Sequence, residues 1–380
     1  PSPPSTSEPL VVTPPQAEKN AFTDSIEPWR GPFLAAQEST IWLVTHKNSV
    51  LGGRPSVRGT FIEHGSIRRG NIVSQSLTEN GFGFSLNWGP EEKEQGYGTT
   101  TRVRLPDDQE ALQGEIVMEG SRRTFALKRA TDLPSFTLRR VATSTLEGDQ
   151  EVCSFSLEYP ELVVSTRVSE SARTAINTKI VQYIQSDNLS PTAQVETFMR
   201  DCKRERLEVK GMSDPSLDQP KYAQTVEPDV IFANQNVVSL LSLNYSYTGG
   251  AHGNYGYDAQ TFDLTTGREL GLEDLVKPEH LREFYQRVSV MLLKNNRDLI
   301  FEEFAKDIQQ FLDDRKPTTT QSQREQYGRL KNWYLVEDGI VFFYNPYEIA
   351  PYAAGIQEVR ISFTDWDDLA QPNVRSLLAI

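Results

Sequence analysis

The stretch from residue 26 to residue 132 is dominated by short runs in which apolar and polar residues alternate. Such alternation is typical of half-buried antiparallel strands, one face of which lies on a core. Turn-forming pairs such as Asn80-Gly81 and Glu119-Gly120 separate the runs. The runs cover residues 40–46, 56–64, 71–77, 81–88, 99–105, 113–119 and 123–130. Evenly spaced short strands of this kind predict a small antiparallel β-barrel-like domain.

The pattern changes after residue 132, where strand-like runs and runs with helical spacing follow one another. Apolar residues recur at helical spacing over residues 171–186, 192–209 and 279–314. Strands are predicted over residues 136–145, 152–162, 255–264 and, as a pair, 339–363. We therefore predict an α+β domain over residues 133–380, with helices packed on an antiparallel sheet.

Residues 1–25 lack both patterns. The first 20 residues contain six prolines and few large apolar side chains, so they bury too little surface to become ordered. The segment resembles the tether that follows the lipid-bearing cysteine of bacterial lipoproteins. We expect an exported protein, periplasmic or tethered to the outer membrane, whose membrane attachment is a lipid anchor. An ordinary linker between domains is the alternative interpretation.

The charge of the chain is unevenly distributed. The 39 Lys and Arg residues against 52 Asp and Glu give a formal charge of −13. Residues 151–380 hold 23 of the basic and 34 of the acidic residues, which is −11. A chain this acidic is unsuited to nucleic acid or to an anionic membrane surface. The acidity favours a cationic partner, because complementary potentials speed encounter, although solubility alone would also explain it.

Little in the sequence points to a metal or a cofactor. Two cysteines and four histidines are too few for the usual four-ligand zinc site. No phosphate-binding or nucleophile-elbow motif is present, so we predict no metal and no cofactor. Cys153 and Cys202 either form a disulfide, as an oxidising compartment would allow, or remain two buried thiols.

Two segments rich in glycine and tyrosine stand out in the C-terminal part. Residues 247–254 read YTGGAHGN, in which closely spaced glycines permit a sharp connection between two strands. Residues 344–355 read YNPYEIAPYAAG and precede a further strand. Between these segments, residues 261–276 contain a turn, TTG, that leads into a helix.

Together these segments resemble a bacterial extracytoplasmic domain family. It is known from the extracellular part of the lysozyme-sensing anti-sigma factor and from the N-terminal module of a membrane-bound peptidoglycan deacetylase. The upstream LEYPEL (157–162) and Ile176-Asn177 are similar to the half that precedes this domain in the same proteins. The resemblance covers about residues 150–370 and implies an α+β fold in the cell envelope.

The resemblance also bears on function. In the sensing member of the family, the domain binds lysozyme directly. The sequence contains neither the catalytic domain of the deacetylase nor a segment for binding a sigma factor. What the resemblance implies for this chain is therefore a binding role.

We expect the two segments to contact a partner, because tyrosine combines a rigid apolar face with a polar tip. The predicted contact residues are Tyr247, His252, Asn254, Tyr344, Tyr347, Glu348 and Tyr352. The residues expected to shape the loops are Gly249, Gly250, Gly253 and Gly355. His252 can be read as a general base, but no carboxylate is fixed beside it by the sequence. A role in tying down the loop is the favoured interpretation.

Three functional hypotheses follow. The leading one is a non-enzymatic envelope protein that captures a protein partner, such as a cationic lysozyme-type cell-wall hydrolase, as sensor or inhibitor. The alternative is a scaffold that binds peptidoglycan or another glycan, since stacking aromatic rings serve that role as well. The least favoured is a cell-wall hydrolase that uses His252 and a carboxylate.

Overall fold

The computed structural model describes most of the chain beyond the N-terminal segment. The described residues are 24–33, 38–46, 56–62, 69–78, 80–88, 96–105, 109–147, 150–163, 168–185, 189–212, 221–313 and 332–379. The predicted tether at residues 1–25 therefore lies outside them, apart from its last two residues.

Eight antiparallel strands form a barrel at the N-terminal end of the described chain. They are β1 (Ser25–Pro32), β2 (Glu38–His46), β3 (Ser56–Ile62), β4 (Arg69–Thr78), β5 (Gly81–Trp88), β6 (Gly96–Arg104), β7 (Glu110–Met118) and β8 (Ser121–Arg129). Each strand pairs with the next, and β1 also pairs with β8, which closes the barrel. The Phe33 ring centroid lies 5.3 Å from that of Phe61 and 5.1 Å from that of Phe125, in the packed interior. The predicted barrel is confirmed.

Five more strands continue the same sheet beyond the barrel. They are β9 (Phe136–Glu147), β10 (Gln150–Leu162), β11 (Tyr222–Ala233), β12 (Val237–Tyr247) and β13 (Asn254–Asp263). Strand β1 pairs with β9 as well as with β2, so the sheet runs without a break from the barrel through 13 strands. The boundary predicted between residues 132 and 133 stays a prediction.

One pair in this sheet departs from the predicted antiparallel arrangement. Strands β10 and β11 are parallel, and their long connection contains helices α1 (Glu170–Ile184) and α2 (Pro191–Met212). Two adjacent parallel strands require such a crossover, because the chain must return to the same end of the sheet.

A second, three-stranded antiparallel sheet packs with the remaining helices. The strands are β14 (Trp333–Val336), β15 (Gly339–Tyr344) and β16 (Gln357–Ser362), and the helices are α3 (Leu281–Asn296), α4 (Glu302–Asp313) and α5 (Val374–Leu378). Helix α3 places Phe284, Val288 and Leu292 on one face, where all three are buried in the core. Their four-residue spacing is that of an amphipathic helix. The α+β fold class is confirmed.

The single helix predicted over residues 279–314 is wrong in one respect, because it is broken after Asn296. The Leu299 N–H donates to the Asn296 carbonyl oxygen at 2.9 Å, a tighter turn than that of an α-helix, directly after the last residue of α3. The turn allows Ile300 to reach the core, where it is 6% exposed. Burial of this side chain accounts for a break that helical spacing alone does not predict.

Helix α2 is covalently fixed to the sheet. Cys202 of α2 and Cys153 of β10 form a disulfide, with their Cα atoms 6.3 Å apart. Of the two alternatives that the sequence left open, the structure contains the bonded one. Such a link is typical of proteins in oxidising compartments.

Barrel strand β3 meets strands β10 and β11 at a partly buried charge cluster. Arg58 of β3 donates to Asp229 of β11 at 2.5 Å and to Glu158 of β10 at 3.4 Å. Burial, with the charges of Arg58 and Arg140, lowers the pKa of His46 to about 4. Burial also raises the pKa of Glu158. The junction therefore contains ion pairs, and burial there disfavours the charged forms of His46 and Glu158.

Candidate partner-binding site

The first predicted segment is the hairpin connection between β12 and β13. Gly249 and Gly250 have φ angles of 90° and 101°, in the left-handed region that glycine enters without strain. The Tyr247 hydroxyl donates to the Gly250 carbonyl oxygen at 2.9 Å and closes the turn. Tyr247 is half-buried, and Asn254 at the start of β13 is exposed. The loop is thus an ordered turn at the end of the hairpin.

The second predicted segment is attached to the first through Asn345. Strand β13 is an edge strand of the large sheet, so its outward N–H and C=O groups need partners. The Asn345 Oδ1 atom accepts from the Tyr257 N–H at 2.7 Å, and its Nδ2 donates to the Tyr257 carbonyl oxygen at 3.0 Å. One side chain therefore substitutes for a strand neighbour and fixes residues 344–355 against β13.

Aromatic rings from both segments stack on one another. The His252 ring lies 3.8 Å from the Tyr352 ring at an interplanar angle of 22°. Tyr255 meets Tyr352 edge-on at 5.4 Å, and Tyr347 lies 5.8 Å from Tyr352 on another side. The Tyr352 hydroxyl donates to the Gly253 carbonyl oxygen at 2.6 Å. We refer to His252, Tyr255, Tyr347 and Tyr352 as the aromatic patch.

Tyr347 is the most exposed tyrosine of the patch and has an unusual backbone conformation. Its side chain is 58% exposed, and its φ angle is 70°, a left-handed conformation that non-glycine residues rarely adopt. The conformation is held by a tight turn in which the Tyr347 N–H donates to the Ala350 carbonyl oxygen at 3.0 Å. Strain of this kind concentrates at functional positions, and here it presents a large ring to solvent.

The other predicted residues have different roles. Tyr344 is not a surface contact, because every residue of β15 is buried and Tyr344 itself is 1% exposed beside Phe304. The prediction that Tyr344 contacts a partner is therefore wrong. The same burial raises the pKa of the Tyr344 hydroxyl. Glu348 is exposed, and its Oε2 atom accepts from the Asn345 N–H at 3.1 Å, so it also shapes the turn.

Two of the predicted loop glycines lie beside tyrosine side chains, Gly253 beside the Tyr245 ring and Gly355 near the Tyr255 hydroxyl. A Cβ atom at Gly253 would come within 2.5 Å of the Tyr245 ring, so only glycine fits without displacing it. Gly355 has a φ angle of 70° and follows the turn that contains Tyr352. Both glycines thus serve the packing of the two segments.

His252 is placed to support the loop. Its Nδ1 atom lies 2.9 Å from the Gly253 carbonyl oxygen, a hydrogen bond in the Nδ1–H tautomer. Within the described ranges, no carboxylate forms an ion pair with His252, and no three His, Cys, Asp or Glu residues converge as metal ligands. The geometry gives the imidazole a stacking and tethering role. None of the helices in the described part of the chain is long and apolar enough to cross a membrane.

Asn345 and Tyr255 belong to the site but are not among the contact residues predicted from the sequence. Asn345 precedes a proline and reads as an ordinary turn residue. The detectable signal was the position of Asn345 directly after a wholly apolar strand, where a polar side chain reaches the next strand edge. Its partner, Tyr257, lies 88 residues earlier in the chain, a distance that no local pattern spans.

Comparison with known proteins agrees with the motifs. Residues 146–255 match the family of deacetylase PdaC, and residues 273–364 match a family of proteins of unknown function, DUF3298. The resemblance read from the sequence is confirmed: within the C-terminal part, one segment matches the PdaC family and the segment after it matches the DUF3298 family.

Two crystal structures of DUF3298 family proteins are also similar. The one from Bacteroides fragilis is 20% identical, with a TM-score of 0.48, and the match covers 65% of this chain and 98% of that protein. The one from Pseudomonas aeruginosa is 17% identical, with a TM-score of 0.41, over 64% of this chain and 98% of that protein. No curated protein matches the chain.

Proposed function

We propose that this chain is a cell-envelope binding protein that captures a cationic protein, such as a lysozyme-type cell-wall hydrolase, as sensor or inhibitor. The observation that carries the proposal is the aromatic patch, above all Tyr347, whose ring is exposed and whose backbone is strained. Tyrosine at the centre of a contact surface is a common source of binding energy. The acidic C-terminal part complements a basic partner.

Two further observations support a location outside the cytoplasm. The Cys153–Cys202 disulfide is typical of an oxidising compartment. The Pro/Ser-rich residues 1–25 suit a tether to a lipid anchor in the envelope. Export and lipid attachment are parts of the proposal.

The test removes the Tyr347 ring without disturbing the fold. Asparagine tolerates the left-handed conformation, so Tyr347→Asn should change the unfolding free energy by no more than about 0.5 kcal/mol. Binding to a cationic c-type lysozyme should weaken at least tenfold. Tyr97→Asn is the matched control, since that ring is 59% exposed on barrel strand β6. Equal affinities of the two variants would refute the proposed site.

A glycan-binding scaffold is the second candidate, because an exposed tyrosine ring can also stack on a sugar. Retention of the protein on purified peptidoglycan sacculi, and its release by soluble muropeptide, would favour this alternative. Capture of a protein predicts no such retention in the absence of the hydrolase.

A further inference from the structure

The turn between α3 and α4, residues 297–301, leaves two apolar side chains in solvent. Leu299 is 48% exposed and Phe301 is 40% exposed, although Ile300 between them is buried. A single exposed leucine is ordinary on a protein surface. Here two large apolar side chains are exposed on either side of a buried residue, Ile300.

This turn is hydrogen bonded to the segment that presents the aromatic patch. The Phe301 N–H donates to the Ile349 carbonyl oxygen at 2.8 Å. At the other end of the turn, the Asn296 Nδ2 atom donates to the Gln357 Oε1 atom at 2.9 Å. The Gln357 Nε2 atom in turn donates to the Ala354 carbonyl oxygen at 2.5 Å. Two independent links therefore hold the turn beside residues 344–355.

The combined surface is acidic. Residues 245–256, 296–303 and 344–355 contain one arginine and four carboxylates, a formal charge of −3 with histidine neutral. The arginine, Arg297, is paired with Glu302 at 2.8 Å. Asp298 and Glu303 are exposed beside the two apolar side chains. Lysine and arginine side chains of a partner would meet carboxylates and tyrosine faces here, and both attract cations.

We infer that the α3–α4 turn and the aromatic patch form one interface for a basic, folded protein. Leu299 and Phe301 are its apolar anchors, and Asp298 and Glu303 steer the cationic partner toward it. This inference rests on the proposed function and adds a second contact element. Its residue Phe301 lies 46 positions before Tyr347 in the chain. Apolar anchors with a charged rim are the usual composition of such interfaces.

The experiment measures binding of a cationic c-type lysozyme by calorimetry at moderate salt. The double variant Leu299→Ser/Phe301→Ser should bind at least tenfold more weakly than the parent protein, with an unchanged circular dichroism spectrum. Val290→Ser is the control, because Val290 is 51% exposed on α3, outside the turn, and its affinity should be unchanged. The pair Asp298→Asn/Glu303→Gln should lower the association rate and its dependence on salt.

The outcomes separate this inference from the proposed function. If Tyr347→Asn weakens binding and the Leu299/Phe301 variant does not, the inference is overturned and the proposed function stands. If only the turn variant weakens binding, or Val290→Ser weakens it equally, the single interface is contradicted. If the parent protein does not bind, the proposed function itself fails.

Discussion

Replacement of Asn345 by alanine tests how the two segments of the site are held together. The Asn345 side chain makes two hydrogen bonds, of 2.7 and 3.0 Å, to the backbone of Tyr257 in edge strand β13. Each bond contributes about 1 kcal/mol, and a buried backbone group left without a partner costs about 1–3 kcal/mol. Asn345→Ala should therefore lower the free energy of unfolding by about 2–3 kcal/mol. For a domain of about 250 residues, such as residues 133–380, that loss corresponds to a fall in Tm of roughly 5–10 °C.

Hydrogen exchange localises the effect of this change. The Tyr257 amide donates to Asn345, so its exchange should become faster in the variant, while amides within the barrel should keep their protection. Asn295→Ala is the matched control, because Asn295 is exposed on α3 and should tolerate the change within about 0.5 kcal/mol. Unchanged protection of the Tyr257 amide in Asn345→Ala would refute the reasoning.

Three further predictions concern stability. The pKa of His46 is about 4 in the folded protein, against an ordinary value of 6.5. Because the unfolded chain then binds the proton more readily, His46 should lower the free energy of unfolding by about 3 kcal/mol as the pH falls from 7 to 4. Urea titrations should show a smaller loss for His46→Gln, and an equal loss would contradict the assignment. Reduction of the Cys153–Cys202 disulfide should lower the free energy of unfolding by about 4 kcal/mol, because the bond closes a loop of 49 residues in the unfolded chain. Identical unfolding with and without reductant would contradict this. Gly267→Ala should lower the free energy of unfolding by at least about 2 kcal/mol, because φ is +76° and a Cβ would lie 2.6 Å from a backbone oxygen of α1. Gly120→Ala is the control in thermal unfolding: its φ is +77° but the space around it is open, so its loss of stability should be clearly smaller.

The sequence predicted the kinds of elements better than their long-range arrangement. Alternation identified the barrel strands, since each has one face on the core. It did not reveal that the sheet continues from β1 into β9, because that pairing joins Ile26 to Phe136. The parallel β10–β11 pair was equally hidden, since nothing in a strand's own residues records the direction of its neighbour.

The site was predicted in outline for a different reason. Two long motifs carried the resemblance and marked both segments, but only the fold shows that His252 stacks on Tyr352. Tyr344 was misassigned because a strand buried on both faces has no alternation to separate inside from outside. The strain at Tyr347 lies in the backbone, and its residue type gives no sign of it.

Capture of a cationic protein through the surface around Tyr347 is the function that most needs a direct measurement. The most direct test is calorimetric titration of the protein with a cationic c-type lysozyme at low and at moderate salt. We expect stoichiometric binding that persists at moderate salt, because apolar and aromatic contacts are not screened. Binding that disappears with salt would be the general attraction between a chain of formal charge −13 and a basic protein. That result, or no binding at all, would contradict the claim.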